Sequence, residues 1–194
     1  MSITKTDIAN LAIARLGEPA VADIAGTPSP APVLNRLFDS VVRRMQTRFA
    51  WLELLTTADW TPDDADSGLT VGYWEYALPA TCLRVESVKT AFGEVNWSVH
   101  GAALRCGVSD ITVEYVSYSD DPDDWSQELT DCVVMQLAAD ACMPIAQDAN
   151  VHEAILKELH SIVLPQAQMS QRRKATNIQR VPKRHSWAQA RRGY

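Results

Sequence analysis

Residues 74–79 read Trp-Glu-Tyr-Ala-Leu-Pro, and this short stretch decides the class of the fold. Its large apolar side chains occupy every second position, which is the period of a β-strand with one buried face, and the proline closes the run. The same alternation recurs at residues 95–99 and 111–115, with glycines between the runs. Short strands joined by glycine-containing turns predict a small antiparallel sheet or sandwich inserted over about residues 72–118.

The segment before this insertion has helical periodicity. Residues about 5–16 follow a capping box formed by Thr4 and Asp7, and Gly17 stands where a helix ends in the left-handed conformation. Residues about 32–48 carry one continuous apolar stripe with arginines mostly off it. Two helices are therefore predicted before the strands.

Two more helices are predicted after the strands, over about residues 126–143 and 150–164. Aspartates just before the first of these favour a helix N-terminus, because they oppose its positive dipole end. Pro165 is expected to end or kink the last helix. The order of the elements predicts an α+β fold, namely a four-helix bundle with the inserted small β-sheet or sandwich, in a body spanning residues 1–169.

The charge of the chain changes sign at about residue 170. Residues 1–169 contain ten Lys and Arg against 24 Asp and Glu, a net charge of −14. Residues 170–194 contain eight Lys and Arg and no acid, a net charge of +8. Because this end also lacks apolar periodicity, we expect an extended basic C-terminal arm without fixed structure in the free monomer.

This arm has three interpretations: a solubilising end, a nucleic-acid-binding tail, or a peptide that docks on a protein partner. Binding through phosphates is opposed by the acidic body, which would repel the same phosphates. A docking peptide is favoured, because arginines and aromatic anchors dominate protein interfaces. The residues assigned to this arm are Arg172, Arg173, Lys174, Ile178, Arg180, Lys183, Arg184, Trp187, Arg191, Arg192 and Tyr194.

Motifs for catalysis or metal binding are weak. The acidic loop at residues 63–68 ends in glycine, but the oxygen ligands that a calcium loop requires are missing. His152 and Glu153 begin an H-E-x-x-H motif, but Leu156 replaces the second histidine. We therefore expect a protein that is not an enzyme and that has no cofactor and no metal site.

The composition favours a protein inside the cell with no membrane span. No apolar run approaches the roughly 18 residues of a transmembrane helix, and the first residues lack the basic and apolar regions of a secretory signal. The cysteines are widely spaced and are expected to be small buried side chains in a reducing environment. They are Cys82, Cys106, Cys132 and Cys142.

Four stretches of the chain resemble, in order, segments of a known family. Residues 11–19 read Leu-Ala-Ile-Ala-Arg-Leu-Gly-Glu-Pro, residues 34–39 read Leu-Asn-Arg-Leu-Phe-Asp and are followed by Phe-Ala-Trp at 49–51, and residues 76–85 form a strand–proline–strand element. This ordered set resembles phage head–tail adaptor proteins of the tail tubular protein A type. The resemblance covers about residues 3–165.

The resemblance implies a structural virion protein at the head–tail interface that is assembled in the host cytoplasm. Such adaptors form a ring of twelve subunits beneath the portal protein, carry the next tail component, and let double-stranded DNA pass through a central channel. The C-terminal arm would contact the portal, so removing residues 170–194 is expected to leave a folded body that attaches poorly. The alternative is a small nucleic-acid-binding accessory protein that acts through its basic tail.

Trp74 and Trp97 are candidates for the subunit interface of this ring, since both lie in the β insertion. A closed ring needs a head-to-tail interface, and exposed aromatic side chains would suit it. The competing interpretation is that both tryptophans fill the core of the β region.

Overall fold

The computed structural model describes residues 2–27, 29–61 and 73–178. The helices are Lys5–Leu16 (α1), Ala31–Arg48 (α2), Gln127–Ile145 (α3), Ala149–Glu158 (α4) and Leu164–Ile178 (α5). The strands are Leu55–Trp60 (β1), Trp74–Ala77 (β2), Cys82–Thr90 (β3), Gly93–Glu94 (β4), Trp97–His100 (β5), Ala103–Cys106 (β6) and Ile111–Ser117 (β7). This is an α+β chain in which two helices precede the strands and three helices follow them.

The start of α1 shows how the local sequence sets an element. The Thr4 hydroxyl accepts a hydrogen bond from the backbone N–H of Asp7 at 3.1 Å, and the Asp7 carboxylate accepts from the backbone N–H of Thr4 at 2.9 Å. These two bonds form the predicted capping box. At the other end Gly17 has a φ of 75°, a left-handed conformation that glycine adopts without steric cost.

Helix α3 is the centre of the helical layer. Twelve of its 19 residues are buried, so the helix is covered on nearly all sides, as expected of a core helix rather than a surface helix. The main helix–helix contacts join α3 to α1, α2, α4 and α5. The predicted four-helix bundle is therefore wrong, because the described residues form five helices and the other four pack mainly on a central α3 within one shared core.

The last predicted helix does not end at Pro165, and no extended arm begins at residue 170. A π-helical turn at Leu159–Val163 joins α4 to α5, so the helical chain continues to Ile178. The turn is closed by a hydrogen bond from the Leu164 N–H to the Leu159 carbonyl, five residues back. It lies directly before Pro165, where a proline disrupts regular α-helical hydrogen bonding.

The β region forms two antiparallel sheets, so of the two predicted forms, a single sheet or a sandwich, the single sheet is wrong. Strands β1-β7-β3-β4 make a four-stranded sheet, and β2-β6-β5 make a three-stranded sheet. The first sheet includes β1, which lies before the predicted boundary at residue 72. Side chains from both sheets meet in a second apolar core of their own, so the sheets pack face to face.

Strand β7 connects the two cores because its side chains alternate between the two faces of the sheet. Ile111, Val113 and Tyr115 point into the core between the sheets. Val116 lies in the helical core instead, and its neighbours across the sheet are Leu55 on one side and Arg84 on the other. One face of the four-stranded sheet therefore contacts the other sheet, and one end of its opposite face contacts the helices.

Candidate functional site

The start of the predicted arm is a helix held tightly against the body. Gln171 on α5 is 5% exposed, and its side-chain carbonyl accepts a hydrogen bond from the Leu52 N–H at 3.2 Å. Its amide group donates to the Glu53 carboxylate at 3.2 Å. Glu53 also accepts from the backbone N–H of Ser126, the N-cap residue of α3, at 3.1 Å. A single buried amide thus joins α5 to the turn after α2 and, through Glu53, to the start of α3.

Glu128 makes a second attachment between α3 and α5. Its carboxylate accepts hydrogen bonds from the Ser170 hydroxyl at 2.5 Å and from the Lys174 ammonium at 3.2 Å. These bonds favour the charged form, and they lower the pKa of Glu128 from its ordinary 4.5 to about 2, with the Ser170 bond as the main cause. The charge of Lys174 is therefore paired within the body.

The structure places four of the eleven arm residues. Arg172, Arg173 and Lys174 are exposed on α5, and Ile178 is the last residue of that helix. The other seven lie outside the described residues, and they are Arg180, Lys183, Arg184, Trp187, Arg191, Arg192 and Tyr194.

A cleft of about 580 Å³ lies between α5, the end of α2 and the outer face of the four-stranded sheet. Phe49, Leu52 and Leu55 give it an apolar floor, and Gln168 lines it from α5. Four cations and three carboxylates surround this floor: Arg48, Arg84, Lys89, Arg172, Glu86, Glu94 and Glu114.

Several charges in this cleft are paired with one another. Arg84 forms an ion pair with Glu86, and Lys89 lies 3.4 Å from the carboxylate of Glu114. Glu114 also accepts a hydrogen bond from the Ser87 hydroxyl at 3.0 Å. An apolar floor inside a polar rim of this kind is typical of a protein–protein contact.

Arg84 also ties the sheet to the helical layer. Its guanidinium donates to the backbone carbonyls of Thr47 at 3.1 Å and Arg48 at 3.4 Å, at the C-terminal end of α2. Carbonyls in the last turn of a helix lack partners within the helix, and a cation there also opposes the negative end of the dipole. Arg84 thus joins the sheet side of the cleft to the end of α2.

The two candidate interface tryptophans occupy opposite edges of the three-stranded sheet. Trp74 on β2 and Trp97 on β5 are both paired with Cys106 of the central strand β6, so they lie in one row on one face. Trp74 is half-buried against the core between the sheets, whereas Trp97 is 37% exposed. The core interpretation therefore describes Trp74 better than Trp97.

Sequence reasoning missed the polar residues that hold the helices together. Gln46 is fully buried on α2, and its side chain bonds the backbone N–H and C=O of Ser119 at 3.2 and 2.7 Å. Gln171 and Glu53 have the same kind of role. The signal in the sequence was Gln46 itself, a polar residue within the apolar stripe of α2.

The remaining predictions from sequence concern metal sites, cysteines and membrane-spanning helices. Within residues 2–27, 29–61 and 73–178, no group of three or more His, Cys, Asp or Glu could hold a metal ion, and the acidic loop at 63–68 lies outside those ranges. The four cysteines are free; three are buried and Cys82 is half-buried. None of the helices in the described ranges is long and apolar enough to cross a membrane.

Comparison with protein-family models and with curated protein sequences finds no match to this chain.

Proposed function

We propose that this protein is a structural head–tail adaptor of a phage virion, which forms a ring under the portal protein and joins the capsid to the next tail component. The observation that carries the proposal is the ordered set of adaptor-like stretches at residues 11–19, 34–39, 49–51 and 76–85. The division of charge supports it. An acidic body binds passing DNA only weakly, because its net negative charge repels the phosphates and little counterion release favours the contact.

Contacts of α5 support a modified form of the arm. Gln171 and Glu128 fix α5 to α3 and to the turn after α2, so the basic residues from 179 onward continue from a helix held by the body. Under the proposal, residues 179–194 bind the portal protein. The segment before them belongs to the body, which moves the useful truncation point from residue 170 to residue 178.

The test is binding to the isolated portal protein of the same virus. A chain that ends after residue 178 keeps every contact described for α5 and loses Arg180, Trp187 and the other residues of the arm. We expect it to unfold at the same urea concentration as the full chain but to bind the portal at least tenfold more weakly. The matched control is the full chain with Gln166→Ala, an exposed change on α5 that should bind normally.

Two results would overturn the proposal. One is portal binding by the shortened chain at full-length affinity, which removes the arm from the attachment. The other is the absence of a ring of this protein on the portal when a mixture of the full chain and the portal is viewed by negative-stain microscopy. A monomeric free protein is compatible with the proposal, because the portal supplies the template for the ring.

A further inference from the structure

The outer edge of strand β5 lacks the sequence features that usually protect a strand edge. Among the described residues, β5 pairs only with β6 and has no strand on its other side. Soluble proteins usually protect such edges with charges, prolines, bulges or very short strands. Here the four residues are Trp97-Ser98-Val99-His100, which include no proline, Lys, Arg, Asp or Glu, and their register with β6 is regular.

The four-stranded sheet shows the protection that β5 lacks. Its edge strand β4 is only two residues long. Strand β3, where β4 does not cover it, has register irregularities at 82–84 and 85–87. Both features oppose the addition of another strand, so β5 differs from the β4 edge of the neighbouring sheet.

Hairpin geometry identifies the backbone groups that β5 presents. A two-residue turn joins His100 to Ala103, which makes them a hydrogen-bonded pair, and bonded and non-bonded pairs then alternate. Trp97 and Val99 are therefore at non-bonded positions, and their N–H and C=O groups point away from β6. Their side chains share a face with buried Leu104 and Cys106, yet they are 37% and 43% exposed. Trp97 and Val99 are therefore apolar side chains that the rest of the described structure covers only in part.

Strand β2, at the opposite edge of the same sheet, also has backbone N–H and C=O groups that point away from β6. The hydrogen bond from the Leu78 N–H to the Ala102 carbonyl, at 2.9 Å, shows that even-numbered residues of this segment bond towards β6. Glu75 and Ala77 therefore direct their N–H and C=O groups away from β6. Both edge strands are four residues long, and both are parallel to each other because each is antiparallel to β6.

We propose that β5 of one copy pairs in parallel with β2 of a second copy and that this contact joins neighbouring subunits. In the register that satisfies the outward groups, Val99 lies opposite Tyr76 of the second copy. The Val99 N–H then donates to the Glu75 carbonyl, and the Val99 carbonyl accepts from the Ala77 N–H.

The same register continues the apolar rows across the contact. Trp97 lies opposite Trp74 of the second copy, and Val99 lies opposite Tyr76, with all four side chains on one face. A β5–β2 contact uses two different edges, so it is head-to-tail and closes into a ring under rotational symmetry. The preference for a head-to-tail contact over a symmetric one rests on the proposed ring. The strand contact itself can be tested on the isolated protein.

A disulfide test identifies the two strands. Ser98 and Glu75 lie opposite each other in the proposed register, on the other face of the sheet. We expect a mixture of a Ser98→Cys protein and a Glu75→Cys protein, both in a Cys82→Ser background, to form a mixed disulfide dimer under mild oxidation. Neither protein alone should form a dimer at a comparable rate. Dimers of the Ser98→Cys protein alone would show β5 paired with β5 and would overturn the proposal, as would the absence of any dimer.

A backbone test uses proline at the outward positions. Val99→Pro removes an N–H that β6 does not use, so the sheet should remain intact while the subunit contact is lost. The readout is the amide NMR spectrum of the full chain at concentrations up to about 1 mM, which detects a contact with a dissociation constant in that range. We expect concentration-dependent shifts at 74–77 and 97–100 in the native protein and in the control Val99→Thr, and none in Val99→Pro.

Shifts confined to other surfaces, or shifts that persist in Val99→Pro, would overturn the strand contact. Ala77→Pro removes the matching N–H on β2 and serves as a second variant if Val99→Pro fails to fold. Failure here and failure of the proposed function are distinguishable. A ring on the portal without β5–β2 disulfides rejects only the strand contact, and disulfides without a ring on the portal reject only the adaptor.

Discussion

At the scale of single residues, a few polar side chains fix how the helices pack. Gln46, Glu53, Glu128 and Gln171 each bond to a segment far away in the chain. Among the described residues, no buried side-chain N or O atom is without a hydrogen-bond partner. Since a buried polar group without a partner is costly, these residues give the helices one arrangement rather than several.

Gln171 is the most consequential of these residues for the start of the arm. Gln171→Ala leaves the Leu52 N–H and the Glu53 carboxylate without this partner, so we expect a loss of about 1–3 kcal/mol in the free energy of unfolding. Urea unfolding followed by circular dichroism measures it. The control is Gln166→Ala, on the exposed side of the same helix, which should change the free energy by less than about 0.5 kcal/mol. Equal losses for both variants would contradict the role given to Gln171.

The lowered pKa of Glu128 makes the free energy of unfolding depend on pH. Its pKa is lowered in the folded state to about 2 from the ordinary 4.5, so its contribution is fully present above pH 4.5 and is lost as the pH falls towards 2. We expect the urea midpoint of the native protein to fall more steeply between pH 4.5 and 2.5 than that of Glu128→Gln. The difference between the two midpoints should be constant above pH 5. Parallel curves for the two proteins would show that the carboxylate does not make these bonds in solution.

At the scale of elements, the π-helical turn decides where the arm begins. Between residues 149 and 175, the buried residues of the last helical segment are Ile155, Leu159, Leu164, Ala167 and Gln171, at spacings of four, five, three and four. A regular α-helix keeps one face at spacings of three and four, so the step of five needs the additional residue that the π turn at Leu159–Val163 provides. The turn keeps α5 facing the body.

A truncation tests this continuity of the helix. A chain ending after residue 169 loses the side chains of Ser170, Gln171 and Lys174, and with them both attachments of α5. We expect its urea midpoint to be clearly lower than that of a chain ending after residue 178, whose midpoint should equal that of the full chain. Equal stability of the two shortened chains would restore the boundary at residue 170.

At the scale of the whole molecule, charge separates the adaptor from the nucleic-acid-binding alternative. The chain up to residue 178 has thirteen Lys and Arg against 24 Asp and Glu, a net charge of −11, and Lys174 is paired with Glu128. We expect the full chain to bind duplex DNA at physiological salt no more tightly than the roughly 10⁻⁶–10⁻⁴ M of non-specific binding. A titration at several salt concentrations measures this. Nanomolar binding with a steep loss of affinity in salt would favour the alternative.

The sequence by itself determined the elements whose signals are local. The capping box at Thr4 and Asp7, the left-handed Gly17 and the alternation at 74–78 depend on neighbours within a few residues, and the structure contains all three features. The division of charge at about residue 170 is likewise a property of the sequence alone.

Only the tertiary structure decided what those elements do together. The central position of α3, the division of the strands into two sheets, and the continuation of α5 past Pro165 depend on contacts between residues far apart in the chain. The partners of Gln171, over a hundred positions away, are an example. A single sequence records which residues are apolar or polar, but the free energy that selects one packing comes from the pairs that meet on folding.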